Sequence, residues 1–171
     1  GSGKSYIARK FGYPVFDADY EVSKLYQNNK KIFFKLKKAL PNYIYSFPIE
    51  KKQVLEAILD KKNNLKKIVD IVHFEIRKKL KVFLYKNKKK KLVILDIPLL
   101  LENKINNKND ILIFVKSKRS QILKRLIKRK NFNKRLLTRF RNIQLSLDYK
   151  KKKSQFIINN NFKNETIRLS V

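Results

Sequence analysis

Cysteine, methionine and tryptophan are absent from this chain of 171 residues, and histidine occurs once. No disulfide or thiolate metal site can form, and one imidazole cannot build a histidine cluster for zinc. A soluble protein of a reducing compartment, the cytoplasm, is therefore expected. Without methionine there is no initiator residue, which points to a processed chain or a piece of a longer one. Glycine and proline number only three and four, and no flexible stretch separates two independent domains. No apolar run approaches the ~20 residues of a membrane-spanning helix, and no signal peptide is legible. Acidic residues are the other shortage: Asp and Glu total 13 against 44 Lys and Arg, for a formal net charge of +31.

Such an excess invites a nucleic-acid or anionic-membrane partner. Its distribution argues against one. Lysine supplies 35 of the 44 positive charges and is spread through every segment beside abundant Asn and Ile, three residue types with A/T-rich codons. Specific DNA readers place arginine at base edges, and RNA readers use aromatic platforms; neither is concentrated here. The all-lysine runs 88–91 and 150–153 read as solvated ends of elements. The expectation is no specific nucleic acid, no membrane and no obligate protein partner. Phosphate-bearing substrates suit the charge equally well.

Hydrophobic content of 43% supports one domain with a substantial core. Residues 4–11 read as a short helix stopped by Gly12. Residues 13–16 read as a brief strand ending at Asp17-Ala18-Asp19. Helical stretches follow at 20–27, 30–40 and 50–59, with Pro41 as a breaker. Then comes a long amphipathic helix in which Leu65, Ile68, Val69, Val72, Ile76, Leu80, Phe83 and Leu84 recur at three- and four-residue spacing. Residues 92–96 and 111–115 are uninterrupted apolar strands of the kind buried on both faces. Basic helices are expected at 119–129 and 133–152, and a last strand at 156–158. Strands alternating with helices predict a parallel α/β sheet, and the helical block at about 20–86 interrupts the rhythm as an inserted lobe.

Gly1-Ser2-Gly3-Lys4-Ser5 is the back half of the P-loop pattern G-x-x-x-x-G-K-[ST]. Its opening Gly and the strand that would feed it are not in the sequence. Such a loop cradles phosphates with backbone N–H groups, while its Lys reaches the terminal ones and its Ser holds Mg²⁺. The plain reading of the same residues is a Gly-Ser-Gly scar in a lysine-rich chain. In open α/β sheets, ligands sit beyond the carboxyl ends of strands, and there stand Asp17, Asp19 and Asp96. A carboxylate at such a place can hold Mg²⁺ or orient an attacking hydroxyl. Asp17 or Asp19 could equally cap the next helix. If the extended backbone continues, their spacing points both the same way. Glu102 reads at least as well as a solvated loop acid. Gln121, Arg125 and Arg129 share one helical face, which suits phosphate recognition or plain solvation.

In order and spacing these pieces resemble dephospho-CoA kinase, a P-loop kinase of the nucleoside-monophosphate-kinase type. The resemblance runs through Gly1 to Ser5, Tyr13-Pro14-Val15-Phe16-Asp17-Ala18-Asp19, and a middle block ending at His73. It continues through Asp96-Ile97-Pro98-Leu99-Leu100-Leu101-Glu102, which is similar to a "D-x-PLL-x-E" signature. Gln121, Arg125 and Arg129, then Gln144, then Phe156-Ile157-Ile158-Asn159-Asn160, complete it. The sequence departs from the pattern at Tyr6 (usually Thr), at Phe74 (Pro), and at Ser154-Gln155 (Ala-Asp).

The resemblance implies a three-layer P-loop fold with a helical substrate lobe at about 20–86 and a helical lid at about 119–153. It also implies transfer of phosphate from ATP, with Mg²⁺, to the ribose 3′-hydroxyl of dephospho-CoA. ATP would meet Gly1, Ser2, Gly3, Lys4, Ser5, Tyr6, Arg125 and Arg129. Asp19 would handle the hydroxyl proton with Asp17 in support and Lys4 on the terminal phosphates. His73 and Asp19 would face the acceptor, with His73 more a positioning residue than a proton carrier, and Ser5 and Asp96 would serve the metal. Another small P-loop kinase and a basic nucleic-acid-binding protein are the competing readings.

Overall fold

The computed structural model describes residues 1–128 and 132–163. Helix α1 (Lys4–Lys10) leads to strand β1 (Val15–Asp17), and four helices follow: α2 (Ala18–Asn28), α3 (Lys30–Ala39), α4 (Lys51–Asp60) and α5 (Lys62–Lys86). Strands β2 (Ile94–Asp96) and β3 (Ile113–Lys116) come next, then α6 (Arg119–Ile127), α7 (Lys134–Asn142), α8 (Leu147–Lys153) and β4 (Phe156–Asn159). Among the described residues, β1 pairs only with β2 and β3 only with β4, both in parallel. No helix of the described residues is long and apolar enough to cross a membrane.

The expected strands are present, the first three shorter than expected and the last one residue longer, and those expected to be buried on both faces, β2 and β3, are not. Ile94 and Leu95 are half-buried, as are Ile113, Phe114 and Val115, while Phe156 and Ile157 are exposed. Among the described residues each strand has one hydrogen-bonded neighbour, so less of its surface is covered than in the middle of a sheet. Helix α1 bridges the two pairs. It packs on β1 and β2, and its Ile7 buries with Ile158 of β4 against Ile113 and Val115 of β3.

Most of the core lies elsewhere, in the helical block. Ile32 and Leu36 of α3 pack with Ala57 and Ile58 of α4, and with Leu65, Ile68, Val72, Ile76 and Leu80 of α5. The stripe read from the sequence on α5 is this buried face. Its members at three- and four-residue spacing point inward, and the lysines between them stay in water. Phe16 of β1 joins the same cluster and meets Phe83 with ring centroids 5.5 Å apart. The strand that ends at the acidic residues is thereby bolted to the helical block.

The single helix expected over 133–152 is two. Asn133 caps α7 by accepting from the Leu136 N–H at 3.0 Å, and Ser146 caps α8 by accepting from the Tyr149 N–H at 3.2 Å. A second good N-cap inside an apparent helix restarts it on a new axis. Gln144 falls in the break between them.

Candidate active site

Strand register creates the site. In the parallel β1–β2 pair Asp17 stands directly opposite Asp96, so two carboxylates meet at the same end of adjacent strands. The chain turns straight from β1 into α2, with Asp17 as its N-cap: the carboxylate accepts from the Tyr20 N–H at 3.0 Å. Extended backbone therefore stops at Asp17, and the expected same-side pairing with Asp19 along a strand does not occur. Asp19 lies in the first turn of α2 instead. Asp17 also carries an ion pair with Arg9 of α1 at 3.5 Å, while Asp96 is buried.

Asp19 is reached by solvent yet titrates above the ordinary aspartate range. Desolvation raises it most, and the negative charges of Asp17 and Asp96 add to the shift. The ammonium groups of Lys4 and Lys51 pull the other way. Three carboxylates and two lysines thus share one electrostatic neighbourhood. In a chain with 13 acidic residues and a net charge of +31, gathering three aspartates against their mutual repulsion is not a solvation pattern.

Lys4 and Ser5 open α1, which packs against β2, the strand bearing Asp96. Ahead of them Gly3 adopts φ +90°, a left-handed conformation that favours glycine. The Ser2 carbonyl accepts from the Asn160 side-chain amide at 2.7 Å and from the Ser117 hydroxyl at 3.1 Å. Gly1 lies against Ile122 and Leu126 of α6. Arg125, on that same helix, stacks its guanidinium 4.4 Å from the Phe162 ring centre. Tyr6 is exposed with Lys10 5.4 Å above its ring. Arg129 lies outside the described residues.

His73 sits on α5, and its Nε2 is 3.4 Å from the Asn103 amide. Arg77, one turn on, donates to the Asn103 carbonyl at 3.4 Å. Desolvation and the Arg77 charge lower the His73 pKa against an opposing pull from Asp70, which keeps the imidazole neutral at pH 7. His73 therefore braces the turn that follows Asp96. Glu102, at the end of that turn, is no solvated loop acid: it pairs with Lys150 of α8 at 2.6 Å and accepts from the Leu145 N–H at 3.0 Å.

Sequence reasoning missed Lys51, one lysine among 35 with no local mark. It quoted Asn160 only as part of a strand-end pattern, and its burial comes from the fold. Arg139 of α7 was also missed; it donates to the carbonyls of Ile58 and Asp60 where α4 ends.

Among the described residues, no group of three or more His, Cys, Asp or Glu side chains is arranged to hold a metal ion alone. The Ser5 hydroxyl and Asp96 carboxylate are hard oxygen donors. They fit Mg²⁺, which keeps several waters and takes its remaining ligands from substrate phosphates.

The profile of the family described as "CoaE: Dephospho-CoA kinase" matches residues 1–165. A dephospho-CoA kinase of Wolbachia pipientis wMel is 33% identical over 172 aligned residues, covering 98% of this chain and 88% of that protein. One from Wolbachia sp. subsp. Brugia malayi (strain TRS) is 34% identical with the same coverage. In fold, the chain is similar to the crystal structure of TT1252 from Thermus thermophilus. Their TM-score is 0.74 at 23% identity, covering 99% of this chain and 87% of that one. With the family profile spanning nearly every residue and relatives above 30% identity along almost the full length, the chain belongs to the dephospho-CoA kinase family.

Proposed function

We propose that the protein transfers the terminal phosphoryl group of ATP to the ribose 3′-hydroxyl of dephospho-CoA, giving CoA. The observation that carries this reading is the convergence of Lys4, Asp17, Asp19 and Asp96 at the carboxyl ends of β1 and β2, beside the start of α1. Phosphoryl transfer needs positioning and charge neutralisation more than covalent chemistry. Gly1 to Ser5 receive the ATP phosphates, and Lys4 offsets charge that builds on the transferred group. Arg125 of α6 and Arg129 neutralise the phosphates. Mg²⁺, held by Ser5 and Asp96, would supply neutralisation of the phosphate charge. Tyr6 lines the ATP side.

Asp19 accepts the proton of the attacking hydroxyl. Its raised pKa makes it a stronger base than an ordinary aspartate. Asp17 supports it by raising that pKa and by fixing the start of α2. His73, neutral, holds the acceptor side through the turn at Asn103. In this reading α2–α5 form the acceptor lobe, α6–α8 the lid, and the two strand pairs with α1 the P-loop layers, all within one kinase domain of the cytoplasm.

ATP consumption measured with dephospho-CoA and, separately, with nucleoside monophosphates tests the substrate. Turnover confined to dephospho-CoA is expected; preference for a monophosphate would replace it with another P-loop kinase reading. Lys4→Ala should abolish turnover with the melting temperature unchanged, because the Lys4 side chain is not part of the core. Wild-type rates in that variant would remove Gly1 to Ser5 from the site.

A further inference from the structure

We propose that Asn160 is a positioning residue that sets the phosphate loop by clamping the Ser2–Gly3 peptide, an inference that rests on the ATP reading above. Asn160 is 3% exposed, at the end of β4 and far in sequence from the residues it holds. Its amide donates to the Ser2 carbonyl at 2.7 Å, and its own oxygen accepts from the Phe162 N–H at 2.8 Å. The Ser117 hydroxyl, just beyond β3, supplies a second donor to the same carbonyl at 3.1 Å. Two donors occupy both lone pairs of that oxygen.

A trans peptide is planar, with C=O and N–H pointing opposite ways. Fixing the Ser2 carbonyl toward Asn160 and Ser117 therefore aims the Gly3 N–H in the opposite direction, as a donor for a phosphate oxygen. On its far side Gly3 is held too, since its carbonyl accepts from the Ile7 N–H at 3.0 Å. Glycine is required here for two reasons. Its φ is +90°, and a Cβ would lie 2.4 Å from the Asn160 amide nitrogen. The space beside Gly3 is thus taken by Asn160. Through Phe162, which carries the Arg125 guanidinium on its ring, the same side chain also links the loop to α6.

Inorganic triphosphate is the probe, read as competitive inhibition against ATP, together with kcat, both KM values and the melting temperature. Asn160→Ala leaves a carbonyl with one donor and frees the peptide to rotate. The KM for ATP and the inhibition constant for triphosphate should both rise roughly tenfold, given the usual worth of one buried hydrogen bond. The KM for dephospho-CoA should stay within about twofold, because the residues that Asn160 contacts, Ser2 and Phe162, are not among those assigned to the acceptor. Ser117→Ala, a smaller change on the same carbonyl, should shift triphosphate in the same direction by a few-fold, and it covers the case in which the Asn160 variant does not fold.

Asn160→Asp keeps the acceptor for Phe162 but turns an anion toward the carbonyl, so it should not rescue. Unchanged triphosphate inhibition in both alanine variants, or equal losses for both substrates alongside a lower melting temperature, overturns the clamp alone. Failure of triphosphate to compete with ATP in the unsubstituted protein overturns the phosphate-loop reading, and the clamp with it.

Discussion

Asp17 and Asp19 are two residues apart and chemically identical, yet their surroundings divide the work between them. Asp17 is committed to the Tyr20 N–H and the Arg9 guanidinium. Asp19 is pushed toward the protonated form by desolvation, then by Asp17 and Asp96. Asp19→Asn should lower kcat by ~10²–10⁴-fold with the KM for ATP nearly unchanged, the usual span for general-base loss. Stability should move the other way. A carboxyl whose folded pKa exceeds its ordinary 3.8 holds its proton more tightly folded than unfolded. Its charge therefore weakens the fold once pH rises through that window. The Asn variant should melt no lower than the parent at neutral pH; a clear drop, or near-parental kcat, would reduce Asp19 to a helix residue. Asp17→Asn keeps a capping oxygen and removes one repelling charge. The acid limb of its kcat/KM profile should shift to lower pH, and a limb that stays put would mean that Asp19 does not set it.

Elements meet the site through a few polar contacts, and among the ion pairs of the described residues that between Glu102 and Lys150 is the most buried. Burial by itself would raise the Glu102 pKa. The Lys150 ammonium, the Glu102 and Leu145 N–H groups and the Lys150 charge together outweigh it, and the carboxyl titrates below its ordinary 4.5. The sign follows: this contribution is complete above that value and is lost as pH falls through the lowered one. Urea midpoints of the parent minus those of Glu102→Gln should be positive at neutral pH and shrink toward zero in acid. A difference that is flat with pH would deny the pair any role in holding α8 to the turn after β2. The same logic of docking applies to Arg139, whose guanidinium meets the carbonyls that α4 leaves unpaired at its end.

At the scale of the whole molecule, stability and chemistry occupy different places. The large buried cluster lies in α2–α5 and reaches the strands through Phe16, whereas the strand pairs hold little buried surface of their own. Leu36 is 0% exposed at the centre of that cluster. Leu36→Ala should cost ~2–5 kcal/mol in chemical denaturation, the range for a leucine truncated in a packed core. A loss below ~1 kcal/mol would show the helical block to be loosely packed. The +31 charge meanwhile stays mostly on solvated lysines; among the described residues, specific pairs such as those with Glu102 and Asp17 are few.

Local chemistry made much of this legible before any fold was known. The α5 stripe, the stop at Gly12, the Gly3-Lys4-Ser5 triplet and the acids that close β1 and β2 are all set by neighbours within a turn or a strand. That is the range over which periodicity, capping and turn preferences act. What the sequence left open depends on contacts distant along the chain. Register put Asp17 opposite Asp96, and the helix start at Ala18 moved Asp19 off the strand. Lys51 reached Asp19 from another helix, Glu102 found Lys150, and Asn160 closed on Ser2. None of these pairings has a local signature, because an ammonium or an amide looks the same in sequence whether it meets water or a buried partner. Tertiary packing decided which of the many lysines and asparagines stand beside a desolvated carboxylate or carbonyl, and that desolvated partner is what makes those few matter.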